Sequence, residues 1–297
     1  MELPRIGIGT AGFCGIYNEI TSQECGNIVD KAIANKFNYF DSSPFYGNGR
    51  SEKILGNCLI KYNRDKYFIS TKAGSCNGRY KYGYYDITTT VMNSLKNLKV
   101  KYFDMVFIAD IDRCSSLDYI IKESLPGLLY LKRNGYIRKI GISGIILEQL
   151  DYVRSNFDID CIMTYCCYSL INNSLMKYIS KWKSDNITIV QGGVTSMGLL
   201  TPQGPPSWHP ATDDIKVCCK KLTEFCENKR INIVENAFYF TYLNKDIDII
   251  LIGVTDVGQL YNYIDWLQHI YSDNKEHIRA LIEMAQPIHN KLWVDMF

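Results

Sequence analysis

Three side chains in the first quarter of the chain have the types and spacing for proton chemistry: Asp41, Tyr46 and Lys72. A free phenol ionises near pH ~10 and is a poor base at neutrality. An ammonium beside it favours the phenolate, and a carboxylate behind the ammonium keeps that group charged and oriented. Such a trio can move a proton to or from a substrate oxygen. Taken singly, each residue has a plainer reading: the aspartate as a turn former, the tyrosine as a wedge against a rim, the lysine as a solvated strand end.

The elements that must position them are legible around the same residues. In NYFDSSPFYGNGRSEKILG, Asn38 to Asp41 read as a strand, Ser42 to Arg50 as a loop, and Ser51 to Ile60 as a helix. The next strand, YFISTKAG from Tyr67, puts Lys72 at its carboxyl end. The pattern then repeats: FDMVFIAD from Phe103, IRKIGIS from Ile137, CIMTYC from Cys161, ITIVQGG from Ile187 and IDIILIG ending at Gly253 read as strands, with IGIGT as the first. Helical segments are expected at Ser22 to Lys36, over TTTVMNSLKNL, from Tyr119 to Arg133, over ILEQLDYVRSNF, from Asn173 to Lys183, up to about Tyr242, and towards the C-terminus. NGRYKYGYY and GLLTPQGPPSWHPA read as loops, the second a rim loop and not a linker.

Eight strands alternating with helices demand a parallel sheet, and 297 residues suit one barrel of about 250 residues plus insertions. The expected architecture is therefore α/β, a (β/α)8 TIM barrel forming one domain over residues 1–297. In that fold the carboxyl ends of the strands carry the chemistry, so Asp41, Tyr46 and Lys72 could meet over one mouth.

Composition narrows the partners. A formal charge of +2, from 33 basic and 31 acidic residues, gives no support for nucleic acid or an acidic membrane as partner. No window approaches 18 uninterrupted apolar residues, and the start, MELPRIGIGT, has no secretory apolar core, so neither secretion nor membrane spanning is expected. The 11 cysteines include no C-x-x-C pair; Cys166-Cys167 and Cys218-Cys219 are adjacent, a poor geometry for zinc or an ordinary disulfide. They read as reduced thiols of a cytoplasmic protein, with no metal site.

D-x4-Y-G at Asp41, R-S-E-x-x-L-G at Arg50 and S-T-K-x-G at Ser70 together resemble the aldo-keto reductase family. SMGLLTPQGPPSWHPA from Ser196, DID and SLDYI after the fourth strand, and GISG from Gly141 resemble its L-galactose dehydrogenase branch. The resemblance runs from about Arg5 to Gln268. It implies a barrel oxidoreductase using NAD or NADP on a sugar or small carbonyl compound, with Tyr46 as acid/base, Lys72 as the partner that tunes it, and Asp41 holding Lys72.

The resemblance also implies a fourth catalytic residue, a histidine at the end of the fourth strand; this chain has Ala109 there, and its first histidine is His209. Thr164, Tyr165 and Cys167 are the polar groups nearby. On the cofactor side, the family's Ser/Thr-Asn pair corresponds to Ser143-Gly144, its strand-6 glutamine to Thr164, and its phosphate loop to GGVTSMG, where Gly192 and Gly193 let backbone N–H groups approach an anion. After the eighth strand, Asp256, Gln259 and Asn262 occupy the positions that hold the adenosine end, with no Lys or Arg from Val254 to Ile270. A carboxylate there repels a 2′-phosphate, which favours NAD over NADP. Around the substrate, Ala109 leaves space, Trp208 offers a face to a sugar ring, and His209 reaches towards the mouth or is solvated. Tyr80, Tyr82, Tyr84 and Tyr85 read as a contact surface or as rim cover. The alternative to an enzyme is a pseudoenzyme of the same fold, binding a ligand or a protein partner without efficient turnover.

Overall fold

The computed structural model describes residues 3–76, 78–269 and 274–293. Eight parallel strands close into a barrel: β1 (Ile6–Gly9), β2 (Tyr39–Asp41), β3 (Phe68–Ala73), β6 (Phe103–Ile108), β7 (Ile137–Gly144), β8 (Cys161–Tyr165), β9 (Thr188–Gly192) and β10 (Ile249–Gly253), with β10 pairing back to β1. They are the eight strands expected from the sequence. Two further short strands, β4 (Ser75–Cys76) and β5 (Arg79–Tyr80), form an antiparallel hairpin where the sequence suggested only a loop. Gly78, at φ 69°, makes the turn between them, a conformation open to glycine.

Strand residues alternate between two cores because successive side chains point to opposite faces. Tyr39, Met105, Phe107, Cys161, Met163, Val190, Ile249 and Leu251 fill the barrel interior. Their outward neighbours Phe40, Ile69, Val106, Ile108, Ile162, Ile189 and Ile250 pack beneath the helices. The interior has room for the Tyr39 ring because residue 7 is glycine: a Cβ on Gly7 would lie 2.4 Å from Tyr39 Cδ1.

The helices form where their capping and apolar periodicity predict, with local adjustments. Helix Ser22–Ala34 opens on a reciprocal cap in which Thr21 Oγ1 accepts from Glu24 N–H and Glu24 accepts from Thr21 N–H. The segment expected as one helix from Tyr119 contains a π-helical turn, Ile120–Ser124, before helix Leu125–Arg133. Pro126, near the start of that last helix, has no N–H to donate back, which fits a widened turn there.

The R-S-E-x-x-L-G motif is a fastening. Ser51 Oγ donates to Thr10 O (2.7 Å), and buried Glu52 takes hydrogen bonds from Thr71 Oγ1 (2.8 Å) and Asn97 Nδ2 (2.9 Å). Gly56 lets helix Arg50–Leu59 lie against the end of helix Tyr84–Leu98, since a Cβ would meet Asn97 O at 2.6 Å. The C-terminal end of the loop bearing Tyr46 is thereby clamped.

Candidate active site

Parity places one inward-facing residue per strand in the top layer of the barrel: Gly9, Asp41, Lys72, Ala109, Ser143, Tyr165, Gly192 and Gly253. Asp41 and Lys72 meet on adjacent strands, since the β2–β3 register sets Asp41 opposite Ser70. Lys72 Nζ donates to Asp41 Oδ2 at 2.6 Å and to Ser42 O at 3.1 Å, and both side chains are buried. The other carboxylate oxygen accepts from Ser70 Oγ at 2.7 Å, and Ser70 Oγ in turn accepts from Tyr39 OH at 2.8 Å. This chain of hydrogen bonds roots the pair in the barrel core.

Tyr46 lies over the pair, its ring centroid 5.1 Å from Lys72 Nζ. The three residues singled out by their chemistry are therefore brought together. Burial pulls the Lys72 ammonium down, but Asp41 and Tyr46 outweigh it and hold it above its ordinary value. For Tyr46, loss of solvent is the largest influence and raises the phenol; Lys72 opposes this, while Asp41 and Asp110 add to the rise. The balance differs from the sequence expectation of a phenol pulled towards phenolate. Tyr46 stands as a protonated donor whose proton Lys72 makes easier to remove than burial alone would allow.

Ala109, at the end of β6, is buried and offers only a methyl group; its N–H bonds Ala73 O at 2.8 Å and its carbonyl accepts from Tyr82 OH at 3.0 Å. Ser143 is inward-facing, but its hydroxyl is engaged by this corner, donating to Ile108 O and accepting from Asp110 N–H. Gly144 is required by a neighbour: a Cβ there would fall 1.9 Å from Asp112 Oδ1, which instead accepts from Ile145 N–H at 3.2 Å. Burial, then the nearby Asp110, push the Asp112 carboxyl up to about 6.

Thr164 does not face the mouth. It shares the outward parity of Ile162, and Tyr165 is the inward residue of β8, a one-residue difference that exchanges the two faces of a strand. The period-two pattern Cys161, Met163, Tyr165 was the signal that could have located it. Gly193, at φ 70°, is needed for packing, because a Cβ would strike Cys166 Sγ at 2.7 Å. Gly192 has ordinary room around it, with the nearest atom to a Cβ at 3.6 Å.

On the far side of the mouth, Asp256 caps helix Val257–Gln268 by accepting from Gln259 N–H at 2.8 Å, and Gln259 Oε1 accepts from Thr255 N–H at 2.9 Å. Asn262 lies one turn further along that helix and is exposed. At the rim, Trp208 is half-exposed, its indole N–H donates to Ile16 O at 3.2 Å, and its ring packs on Tyr17 at 5.6 Å, so it ties the loop after β9 to the loop after β1. His209 is neither solvated nor in the mouth: it is 3% exposed, bonded through Nε2 to Ser196 O and through Nδ1 to Ala211 N–H, and burial lowers its basicity. Its neighbours make it a neutral strut of the rim loop.

The top layer is open over three of its strands. Over β9, β10 and β1 the inward residues are Gly192, Gly253 and Gly9; a Cβ on Gly253 would touch nothing within 4 Å, and on Gly9 the nearest atom is 3.6 Å away. Three adjacent strands thus leave an open slot beside the Asp41–Lys72 pair. The loop after β9 continues it with positive φ at Gly193, Ser196, Met197 and Gly198, and it is tied to itself by Ser196 N–H donating to Gly193 O at 2.8 Å and Gly198 N–H to Thr195 O at 3.2 Å. Among the described residues, no cluster of three His, Cys, Asp or Glu side chains is placed to hold a metal ion.

Comparison with known proteins agrees with this geometry. The aldo/keto reductase family model matches residues 5–281. The chain belongs to the aldo/keto reductase family. Among curated relatives it is 29% identical to L-galactose dehydrogenase of Arabidopsis thaliana, over 99% of this chain and 94% of the relative. It is 26% identical to D-arabinose 1-dehydrogenase of Saccharomyces cerevisiae, over 71% of this chain and 66% of that protein. Among solved structures, an aldo-keto reductase of Bacillus halodurans in its holo form superposes with a TM-score of 0.75 at 22% identity, covering 93% of this chain and 91% of that one. Glycerol dehydrogenase of Gluconobacter oxydans superposes at 0.73 with 20% identity, covering 98% and 94%. This aldo/keto reductase has no helix among its described residues long and apolar enough to cross a membrane.

Proposed function

We propose that this chain is a nicotinamide-dependent dehydrogenase of aldoses, oxidising the anomeric hydroxyl to a lactone, with Tyr46 as the proton-transferring group. The observation that carries the reading is the buried Asp41–Lys72 contact of 2.6 Å directly beneath Tyr46 and beside the glycine-floored slot. The sugar-dehydrogenase names of the relatives support the substrate class.

When bound, the nicotinamide ring would supply the hydride acceptor. The protein's part is protonic and positional. In the oxidising direction Tyr46 acts as the phenolate, its own proton having passed to solvent, and takes the proton of the anomeric hydroxyl; in the reverse direction the phenol returns it. Lys72 lowers the cost of removing the phenolic proton, and Asp41 holds Lys72 against the desolvation that would discharge it. Gly192, Gly193 and the loop to Gly198 would hold the pyrophosphate. Asp256 at the helix start disfavours a 2′-phosphate, so NAD is the preferred form.

Ala109 in place of the family's histidine removes one hydrogen-bond donor to the substrate oxygen. Loss of one such donor slows comparable sites by about 10²–10³, roughly 3–4 kcal/mol, so turnover slower than that of relatives is expected. Ala109 is also the observation that favours a second reading, a ligand-binding barrel without efficient turnover.

The test is titration with NADH and NADPH, followed through tryptophan fluorescence, and then an aldose oxidation screen. Micromolar binding with a preference for NADH, and turnover that falls about 10²-fold or more in Tyr46→Phe, are the expected results. Failure to bind either nucleotide would sink the oxidoreductase reading; binding with no turnover on any aldose would select the second.

A further inference from the structure

Asp110 is the charged side chain at the mouth that the proton-transfer machinery leaves unused. Its backbone lies in the left-handed region, φ 41° and ψ 62°, where a non-glycine residue is uncommon. The conformation is clamped from both sides: Asp110 N–H donates to Ser143 Oγ at 3.1 Å, and Tyr82 OH donates to Asp110 O at 2.7 Å. This turns the side chain from the end of β6 back over the mouth.

There Oδ2 accepts from Tyr80 OH at 3.0 Å and Oδ1 from Tyr165 OH at 3.3 Å. Tyr80 comes from the β4–β5 hairpin and Tyr165 is the inward residue that ends β8, so three elements converge on one carboxylate. A carboxylate offers about four acceptor sites, and the two tyrosines occupy one on each oxygen. Asp110 is partly buried, and the nearest cation with a contact in this corner, the Arg113 guanidinium, lies over the ring of its partner Tyr80, 5.3 Å from the centroid. Its charge is also felt at Tyr46, where it adds to the rise of the phenol. Tyr80 continues into an aromatic wall, stacked on Phe45 at 6.3 Å.

We propose that Asp110 determines substrate class: its two oxygens accept hydroxyl hydrogens from a neutral polyhydroxylated substrate, while its fixed charge excludes anionic sugars and keto acids. The proposal deepens the aldose reading and rests on it for the site, but binding tests it without turnover. The side chain occupies the corner beside Ala109, so recognition by Asp110 replaces shape that a larger residue there would otherwise supply. An acceptor already fixed by Tyr80 and Tyr165 loses little freedom when a sugar diol approaches it.

Equilibrium binding of arabinose, galactose, galacturonate and arabinose 5-phosphate is compared by calorimetry for the wild type and Asp110→Asn, each with and without saturating NADH. Asparagine tolerates the left-handed conformation, so the variant keeps the turn, and an unchanged melting temperature checks this. The wild type is expected to bind the neutral sugars and to bind the anionic ones at least about tenfold more weakly, by an amount that shrinks in high salt. Asp110→Asn is expected to lose about 10- to 100-fold in affinity for the neutral sugars and to abolish the discrimination. Equal binding of neutral and anionic sugars by the wild type, no binding of either, or a discrimination unchanged in Asp110→Asn would overturn the proposal. Nucleotide binding and the Tyr46→Phe result decide the oxidoreductase reading separately.

Discussion

Replacing Lys72 by methionine tests whether the top of the barrel is built around a charge pair or around packing. Methionine keeps the unbranched stem and removes the ammonium. Asp41, buried with its Oδ1 bonded to Ser70 Oγ, then loses the 2.6 Å contact at Oδ2 and keeps no cation. Breaking a buried pair from one side typically costs about 3–5 kcal/mol, because the remaining charge is left uncompensated. The upper part of that range is expected here, since Asp41 is only 2% exposed and water cannot take the place of the ammonium. The double variant Lys72→Met/Asp41→Asn removes both charges while leaving a polar group to accept from Ser70. It should recover most of that loss, which requires the coupling in the double-mutant cycle to exceed the cost of Asp41→Asn alone. Urea unfolding of wild type, both single variants and the double variant supplies the four stabilities. Activity should separate from stability: Lys72→Met and the double variant should both be nearly inactive, because the phenol of Tyr46 has lost the group that opposes the rise burial imposes on it. A cost below about 1 kcal/mol for Lys72→Met, or a double variant no more stable than the single, would refute the argument that the pair is desolvated and mutually dependent.

Two further outcomes follow from the rim and the floor. Asp256→Ser keeps a side-chain cap on helix Val257–Gln268 while removing the charge, so NADPH affinity should rise about tenfold with NADH affinity nearly unchanged; no gain in fluorescence titration would show that Asp256 does not face the 2′-phosphate. Asp112, raised to about 6 by burial and then by Asp110, binds protons more tightly folded than unfolded. Its contribution to stability therefore falls as pH rises from about 4 to about 6 and stays low above that. Asp112→Asn should stabilise the protein at pH 7 by up to about 3 kcal/mol, with the gain vanishing near pH 4; a gain independent of pH in denaturant melts would argue against the titration.

Much of this protein is decided along the chain. Eight apolar stretches at regular intervals, each followed by a helical period, require a parallel barrel, and Asp41 and Lys72 stand at consecutive strand ends where their meeting needs only the β2–β3 register. Tyr46 follows because a loop of fixed length, Ser42 to Gly49, begins at Asp41 and ends on a helix. These features are local, or join neighbouring strands, so type and spacing carry them.

The remainder depends on contacts between distant segments. The period-two pattern of β8 groups Tyr165 with Cys161 and Met163, but that this set and not Ile162 and Thr164 looks into the barrel is decided only by pairing with β7 and β9. Asp112 explains Gly144 from 32 residues away, through a contact no spacing announces. His209 becomes a buried strut because Ser196, Ala211 and Trp293 fold around it. Asp110 becomes a fixed acceptor at the mouth because a hairpin and the end of β8 each bring a tyrosine to it. Chemistry that one strand end can host is written in the order of the residues; chemistry that needs three elements to converge exists only once the barrel has closed, since each partner is satisfied by a group it has not yet met in the unfolded chain.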